Sequence, residues 1–300
     1  MPDLNKLINE KIKLYDLDEF FKSVRLIQRD VFKETIDFYI AEKNKLEGKP
    51  FTEVGNLGAT AVNRFEKRLT DAMDKNISYK SNIRGYLANF DIMDTINEKI
   101  HLAENKINIG KIIKIANKNK RELISKTAKG VTSGISDKTL YKNLAGDGMR
   151  EQFTKPVKRI LYQNLIKGTP ETQVKSTLHQ YIIGRKDEIG QLERWTGQIT
   201  RDALSQYDGA INDMVREEFD LNAFKYIGSI ALNTRPQCRR WITVKDRILK
   251  YDELTKEIQW ANNNGKGMIS GTTKDSFATN RGGFNCRHQA IAIRIEEKKE

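Results

Sequence analysis

Phe224-Lys225-Tyr226-Ile227-Gly228-Ser229-Ile230-Ala231-Leu232 is where the hydrophobic period of this chain changes. The stretch is short and rich in Ile and Tyr, which predicts a strand. The last apolar segment, Ala290-Ile291-Ala292-Ile293-Arg294-Ile295, predicts a second one. Between them Trp241–Val244 and Arg247–Tyr251 suggest a further strand pair, Tyr251–Asn262 a helix, and Asn262–Gly267 a loop. Residues 223–300 thus read as a small α+β domain.

Upstream the period is helical. Leu17, Phe20, Phe21, Val24, Ile27, Val31, Thr35 and Phe38 recur at steps of three and four, predicting a helix over residues 16–43 with Asp16 or Asp18 at its start. Gly48-Lys49-Pro50 breaks it, Gly55–Gly58 reads as a turn, and a helix is expected from Ala59 to Lys75 with Val62, Phe65, Leu69 and Met73 on one face. Ile92, Ile96, Ile100, Ala103 and Ile107 form another stripe. Gly130–Gly134 and Gly146-Asp147-Gly148 read as loops. Phe153, Val157, Ile160, Leu161 and Leu165 then run to Gly168, a C′ glycine. Thr169 at the N-cap and Pro170 at N1 restart a helix carrying Val174, Leu178 and Ile182. A long helix follows over residues 188–218. The expected fold is mainly α: an elongated N-terminal helical region (1–130), a helical region with the long helix (131–222) and the small basic α+β domain (223–300).

The chain has 300 residues, 38% hydrophobic and 31% charged, with a net charge of +13; its mean hydropathy is −0.64. That charged share fits exposed helices better than an enzyme with a deep pocket. The basic excess favours anionic partners, DNA, RNA or an acidic protein surface. Its most one-sided block is Lys111, Lys114, Lys118, Lys120, Arg121, Lys126 and Lys129, opposed only by Glu122; it could follow phosphates or form a solvated helix face. No stretch approaches a membrane span and Met1–Asn9 lacks an apolar leader core, so the expected setting is the cytosol or a particle assembled there.

Two motifs flank the α+β domain's core. Asn233-Thr234-Arg235-Pro236-Gln237-Cys238 follows the first strand, and Phe284-Asn285-Cys286-Arg287-His288 precedes the last. The pair resembles the two signatures of the phage Mu F-like minor head protein family, Asp-x-Arg-Thr-Arg-Pro-x-His/Cys and His-x-Asn-Cys-Arg-Cys. Thr200-Arg201-Asp202-Ala203 and Tyr207-Asp208-Gly209-Ala210 occupy the place of that family's upstream helix. The resemblance covers residues 150–295. Asn233 stands where the family has an acid, Gly283 where it has a histidine, and His288 where it has the final cysteine. The resemblance implies a structural component of the virion head of a tailed phage, assembled in the host cytoplasm. It would dock on portal or major capsid protein and contact packaged double-stranded DNA. It implies no cofactor and no small-molecule substrate.

The motif residues leave several chemistries open. On a strand Cys286 and His288 face the same side, and with Cys238 they would offer three zinc ligands. A closed structural site needs a fourth. Asp246 and Asp275 have no positional support and His179 is distant, so no tightly bound metal is expected. The alternatives are two thiols filling a small core, with His288 hydrogen-bonded, or a Cys238–Cys286 disulfide. Residues 223–300 hold 15 Lys and Arg against 8 Asp and Glu. Arg235 and Arg287, inside the motifs, are expected to bind backbone carbonyls, while Arg239, Arg240 and Arg281 are expected on an exposed, DNA-facing surface. A Cys286–His288 nucleophile pair lacks a third orienting group. No Gly-x-Ser-x-Gly, phosphate-binding glycine loop or His-Glu-x-x-His is present, so no catalytic residue is assigned. The rival readings are a stand-alone nucleic-acid-binding protein and a nuclease- or transferase-type phage enzyme.

Overall fold

The computed structural model describes residues 3–117, 140, 144 and 147–296. In chain order its main helices are α1 (Leu4–Lys13), α2 (Asp18–Leu46), α3 (Phe51–Lys75), α4 (Ile77–Asn105), α5 (Lys155–Ile166), α6 (Glu171–Ile182), α7 (Gln191–Glu218), α8 (Pro236–Thr243) and α9 (Leu254–Asn264). The strands are β1 (Gly184–Arg185), β2 (Glu188–Ile189), β3 (Ala223–Ile227), β4 (Ile248–Lys250) and β5 (Gln289–Ile293). The fold is mainly α, with a small antiparallel sheet near the C-terminus, as the sequence predicts. Among the described residues no helix is long and apolar enough to cross a membrane. Lys118, Lys120, Arg121, Lys126 and Lys129 of the basic block, the 130–134 loop and Gly146 lie outside the described residues.

The residues group into two compact units that interleave in sequence. One gathers the described parts of 1–16, 87–139 and 198–300, the other those of 17–86 and 140–197. The expected boundary at 222/223 is therefore not a unit boundary, because α7 from residue 198 onward packs with the sheet that follows it.

In the first unit the sheet order is β4-β3-β5, both pairs antiparallel. Alternation sends Ala223, Lys225 and Ile227 to one face with Ile291 and Ile293. There they meet Leu7 of α1 and Ile96 and Ile100 of α4. Phe224 and Tyr226 point to the other face, where Trp241 and Phe277 complete an aromatic cluster with ring centroids 5.2–6.4 Å apart. Both faces are covered, which is why β5 is an unbroken run of buried residues. Among the described residues strand β5 pairs only with β3, and side chains cap its outer edge. Asn212 Oδ1 accepts from the Ala292 amide at 3.0 Å, and Asn105 Nδ2 donates to the Ala292 carbonyl at 2.9 Å.

The sequence reading places no element before Asp16, yet α1 is anchored by charge. Lys11 and Asp208 are both fully buried, with Nζ and Oδ1 2.6 Å apart. Asn97 joins them, accepting from Lys11 at 2.8 Å and donating to Asp208 at 3.0 Å. His101 continues this polar line, with Nε2 3.2 Å from Asn212 Oδ1 and Nδ1 3.0 Å from Asn105 Nδ2. Burial, and then the Lys11 charge, push the His101 pKa down to about 4. The unfolded chain protonates this residue near pH ~6.5. Between these values the unfolded state binds the extra proton, so stability falls as pH drops through that window, by up to about 3 kcal/mol. Urea midpoints measured across the window should fall further for the wild-type chain than for His101→Gln. Parallel profiles would show that His101 does not carry the effect.

The second unit is a packing of α2, α3, α5 and α6, with the first turns of α4 and α7. Phe38 and Phe65 stack at 4.4 Å between α2 and α3. The Tyr39 hydroxyl donates to the Thr169 carbonyl at 2.5 Å. The Arg25 guanidinium grips Glu193 from both Nε and Nη2 at 2.7–3.1 Å. Several local expectations change. Leu17, not Asp16 or Asp18, is the N-cap of α2 and makes no side-chain cap bond. Helix α3 starts at Phe51 behind Pro50 and runs through Gly55 and Gly58 without a turn. Glycine costs a helix about 1 kcal/mol, and the stripe of Val54, Ala61, Val62, Phe65 and Leu69 outweighs it. Pro170 is the N-cap of α6 rather than its first residue, while Gly168 has the expected left-handed φ of 58°. Trp241–Val244 is no strand: Pro236 opens α8, and Gln237, Cys238, Trp241 and Ile242 form its buried helical face.

Candidate metal centre

The two motifs meet in the first unit. Strand β3 aims Tyr226 inward, and the chain then turns at Ala231–Thr234, where the Thr234 hydroxyl accepts from the Ala231 amide at 2.7 Å. Pro236 starts α8 so that Cys238 falls on its buried face. From the other side, Arg281–His288 leads into β5. Arg235 joins the segments: Nη1 donates to the Gly282 carbonyl and Nη2 to the Phe284 carbonyl at 2.6 Å. Gln237 Nε2 adds bonds to the Lys266 carbonyl at 2.8 Å and the Gly282 carbonyl at 3.3 Å. Asn285 sits at φ 58°, which asparagine tolerates, and its amide donates to Asp202 of α7. Burial pushes that carboxyl up to about 6 against this bond.

Cys238 Sγ lies 3.8 Å from Cys286 Sγ, and Cys286 Sγ lies 3.5 Å from His288 Nδ1. All three donor atoms fall within 4.8 Å of one another and all three residues are buried. The Tyr226 hydroxyl donates to Cys238 Sγ at 3.3 Å and lies 3.7 Å from Cys286 Sγ. Its ring stacks on His288 at 5.4 Å. His288 Nε2 is 3.1 Å from the Ser229 carbonyl. That carbonyl can only accept, so Nε2 carries the proton and Nδ1 offers its lone pair to the sulfurs. Neither Cys286 nor His288 is in the strand. They converge because the loop before β5 folds back, not through strand alternation.

Two glycines shape this pocket. A Cβ at Gly282 would stand 2.5 Å from Cys238 Sγ and 2.6 Å from Cys286 Sγ. Gly283 has φ 90°, and a Cβ there would strike the Gly267 carbonyl. No ligand can come from that position in this backbone. The thiols share their charge unequally: the bond from Cys238, then His288 and Arg281, hold Cys286 well below the usual thiol range, against its burial. Cys286 and burial push Cys238 up.

The arginines differ most from expectation. Arg281 is 2% exposed. It donates to the carbonyls of Ser205 at 2.7 Å and Ala278 at 2.9 Å, and to that of His288. Arg240 is half-buried, bidentate on Glu257 at 2.9 and 3.1 Å, and lies over Trp260. Of the three expected surface arginines only Arg239 is exposed. Arg287, expected to tie the motif loops as Arg235 does, is exposed instead. Sequence reasoning also missed Asp213, which accepts from the Ala278 and Thr279 amides, both at 2.9 Å, and from the Thr279 hydroxyl at 2.7 Å. Its residue type on a long helix gives no signal for a partner some 65 residues on. No family model, curated protein or solved structure matches this chain.

Proposed function

We propose that this chain is a minor head protein of a tailed phage, a structural part of the virion head that docks on portal or major capsid protein and contacts packaged DNA. One observation carries the reading. The two segments that give the resemblance, 48 residues apart at Cys238 and Cys286, meet in one clamp built by Arg235, Cys238, Cys286 and His288. A paired motif of this kind holds a small domain in one shape for docking. The surroundings offer no group placed as a general base on an accessible nucleophile: both thiols are buried. DNA contact falls to exposed cations, Arg239 and Arg287 in this unit and Arg64, Lys67 and Lys75 along α3 in the other. Without a base-reading motif among them, that contact is weak and independent of sequence.

Co-expression with portal, scaffold and major capsid genes of a tailed phage that encodes the chain tests this. The chain should sediment with assembled heads, and leaving out portal or capsid protein in turn should show which of the two it travels with. A chain that stays free while heads assemble normally would overturn the reading. Nanomolar, sequence-selective DNA binding by the free chain would do so in favour of a regulator.

A further inference from the structure

We propose that Cys238, Cys286 and His288 form a zinc site, with two thiolates and the His288 Nδ1 as protein ligands and water at the fourth position. The inference stands apart from the head-protein reading, and either can fail alone.

Spacing is the first argument. Zinc holds thiolates at about 2.3 Å and imidazole at about 2.0–2.1 Å, so a tetrahedral site has sulfur–sulfur edges of about 3.8 Å and sulfur–nitrogen edges of about 3.5 Å. Two of the three edges here are 3.8 and 3.5 Å, and the third, from Cys238 Sγ to His288 Nδ1, falls within 4.8 Å. A disulfide would need the sulfurs at about 2.05 Å, so at 3.8 Å the two buried thiols are unbridged and able to close on an ion.

The surrounding shell is the second argument. A metal-bound histidine generally gives its other N–H to a carbonyl or carboxylate, which fixes the ring and its tautomer. His288 Nε2 on the Ser229 carbonyl does this. Tyr226 donates to the Cys238 sulfur, the bond a thiolate accepts best. Glycine at 282 leaves both sulfurs free to close on an ion.

Charge is the third. Two thiolates and a neutral imidazole cancel the two positive charges of zinc, so the assembled centre is neutral and suits a buried pocket. Zinc needs both sulfurs as thiolates and His288 Nδ1 as a lone-pair donor, and any protons they carry leave to solvent as the ion enters. The sequence offers no fourth protein ligand, and none is needed. Three protein ligands and a water make a complete zinc sphere.

The test uses the full chain, purified under reduction and dialysed against buffered zinc, with metal measured by mass spectrometry. About one zinc per chain is expected, falling at least tenfold in Cys238→Ser and in Cys286→Ser. Tyr226→Phe should bind zinc about tenfold more weakly, while Arg239→Ala, at an exposed position outside the site, should keep its zinc. Cobalt loaded in place of zinc should give thiolate-to-cobalt absorption and the intense visible bands of a four-coordinate ion. This reads the site in the unaltered chain even where a cysteine variant fails to fold. Three results would overturn the proposal: no bound metal with two free thiols counted after denaturation, no free thiols and a mass lower by two hydrogens, or zinc retained in the double serine variant.

Discussion

Replacing Lys11 by methionine should destabilise the chain by about 3–5 kcal/mol, the cost of leaving one member of a buried ion pair unpaired. Both side chains are all but inaccessible, 0% and 1% exposed. Methionine fills much the same volume, so the loss is electrostatic rather than a cavity. Asp208 would keep the Asn97 amide and lose its ammonium. Burial pulls the Lys11 pKa down while Asp208 pulls it up, so the pair exists only as a pair. Asp208→Asn alone should also be costly, leaving a buried ammonium without its carboxylate. The double variant Lys11→Met, Asp208→Asn should recover about 1–3 kcal/mol of the summed losses, since neither charge then remains. Urea unfolding of the four proteins closes the cycle. Single losses below about 1 kcal/mol that simply add would show that α1 is held by Leu7 and its apolar neighbours alone.

That pair also marks how far the sequence could be read. The hydrophobic period announced nearly every long helix and the change to a sheet after Asn222, because an amphipathic stripe is a local property of the chain. Strand ends and starts moved by a few residues, as with β3 ending at Ile227 rather than Leu232. Trp241–Val244 was misread because four apolar-rich residues carry no period of their own. Pro236 five residues earlier was the better signal. The motif pair was legible as residue types, and so was the chance that three ligands converge. Their convergence through a loop rather than a strand was not, because it depends on Gly282, Gly283 and the backbone conformation at Asn285. Lys11, Asp208, Asn97 and His101 were silent for a different reason. A lone polar residue in a helix looks the same whether it faces solvent or a buried partner some 86 positions away. The same ambiguity exchanged Arg281 and Arg287, six residues apart and both flanked by small or polar neighbours.

Arg281 gives the second large effect. Arg281→Ala should cost about 3 kcal/mol, because it strips donors from buried carbonyls and each acceptor left unpaired costs about 1–3 kcal/mol, with water recovering part. Those carbonyls belong to Ser205 on α7, Ala278 in the short helix Phe277–Asn280, and His288 at the entry to β5. One guanidinium thus fixes three segments around the thiols, a task that matches its planar fork. Lysine has one nitrogen and cannot reach all three directions, so Arg281→Lys should restore no more than about half of the loss. Arg239→Ala and Arg287→Ala, at exposed positions, should stay within about 0.5 kcal/mol of the parent. Denaturant unfolding followed by the fluorescence of the buried Trp241 measures all four variants. DNA titrations against salt give the complementary reading. The exposed pair should each lower the salt slope by about one phosphate contact, and Arg281→Lys, which keeps the charge, should leave it unchanged. If Arg281→Ala instead proved stable and flattened the slope, Arg281 would belong to the surface that its sequence context suggests, and the segments around Cys286 would be held by Arg235, Gln237 and Asp202.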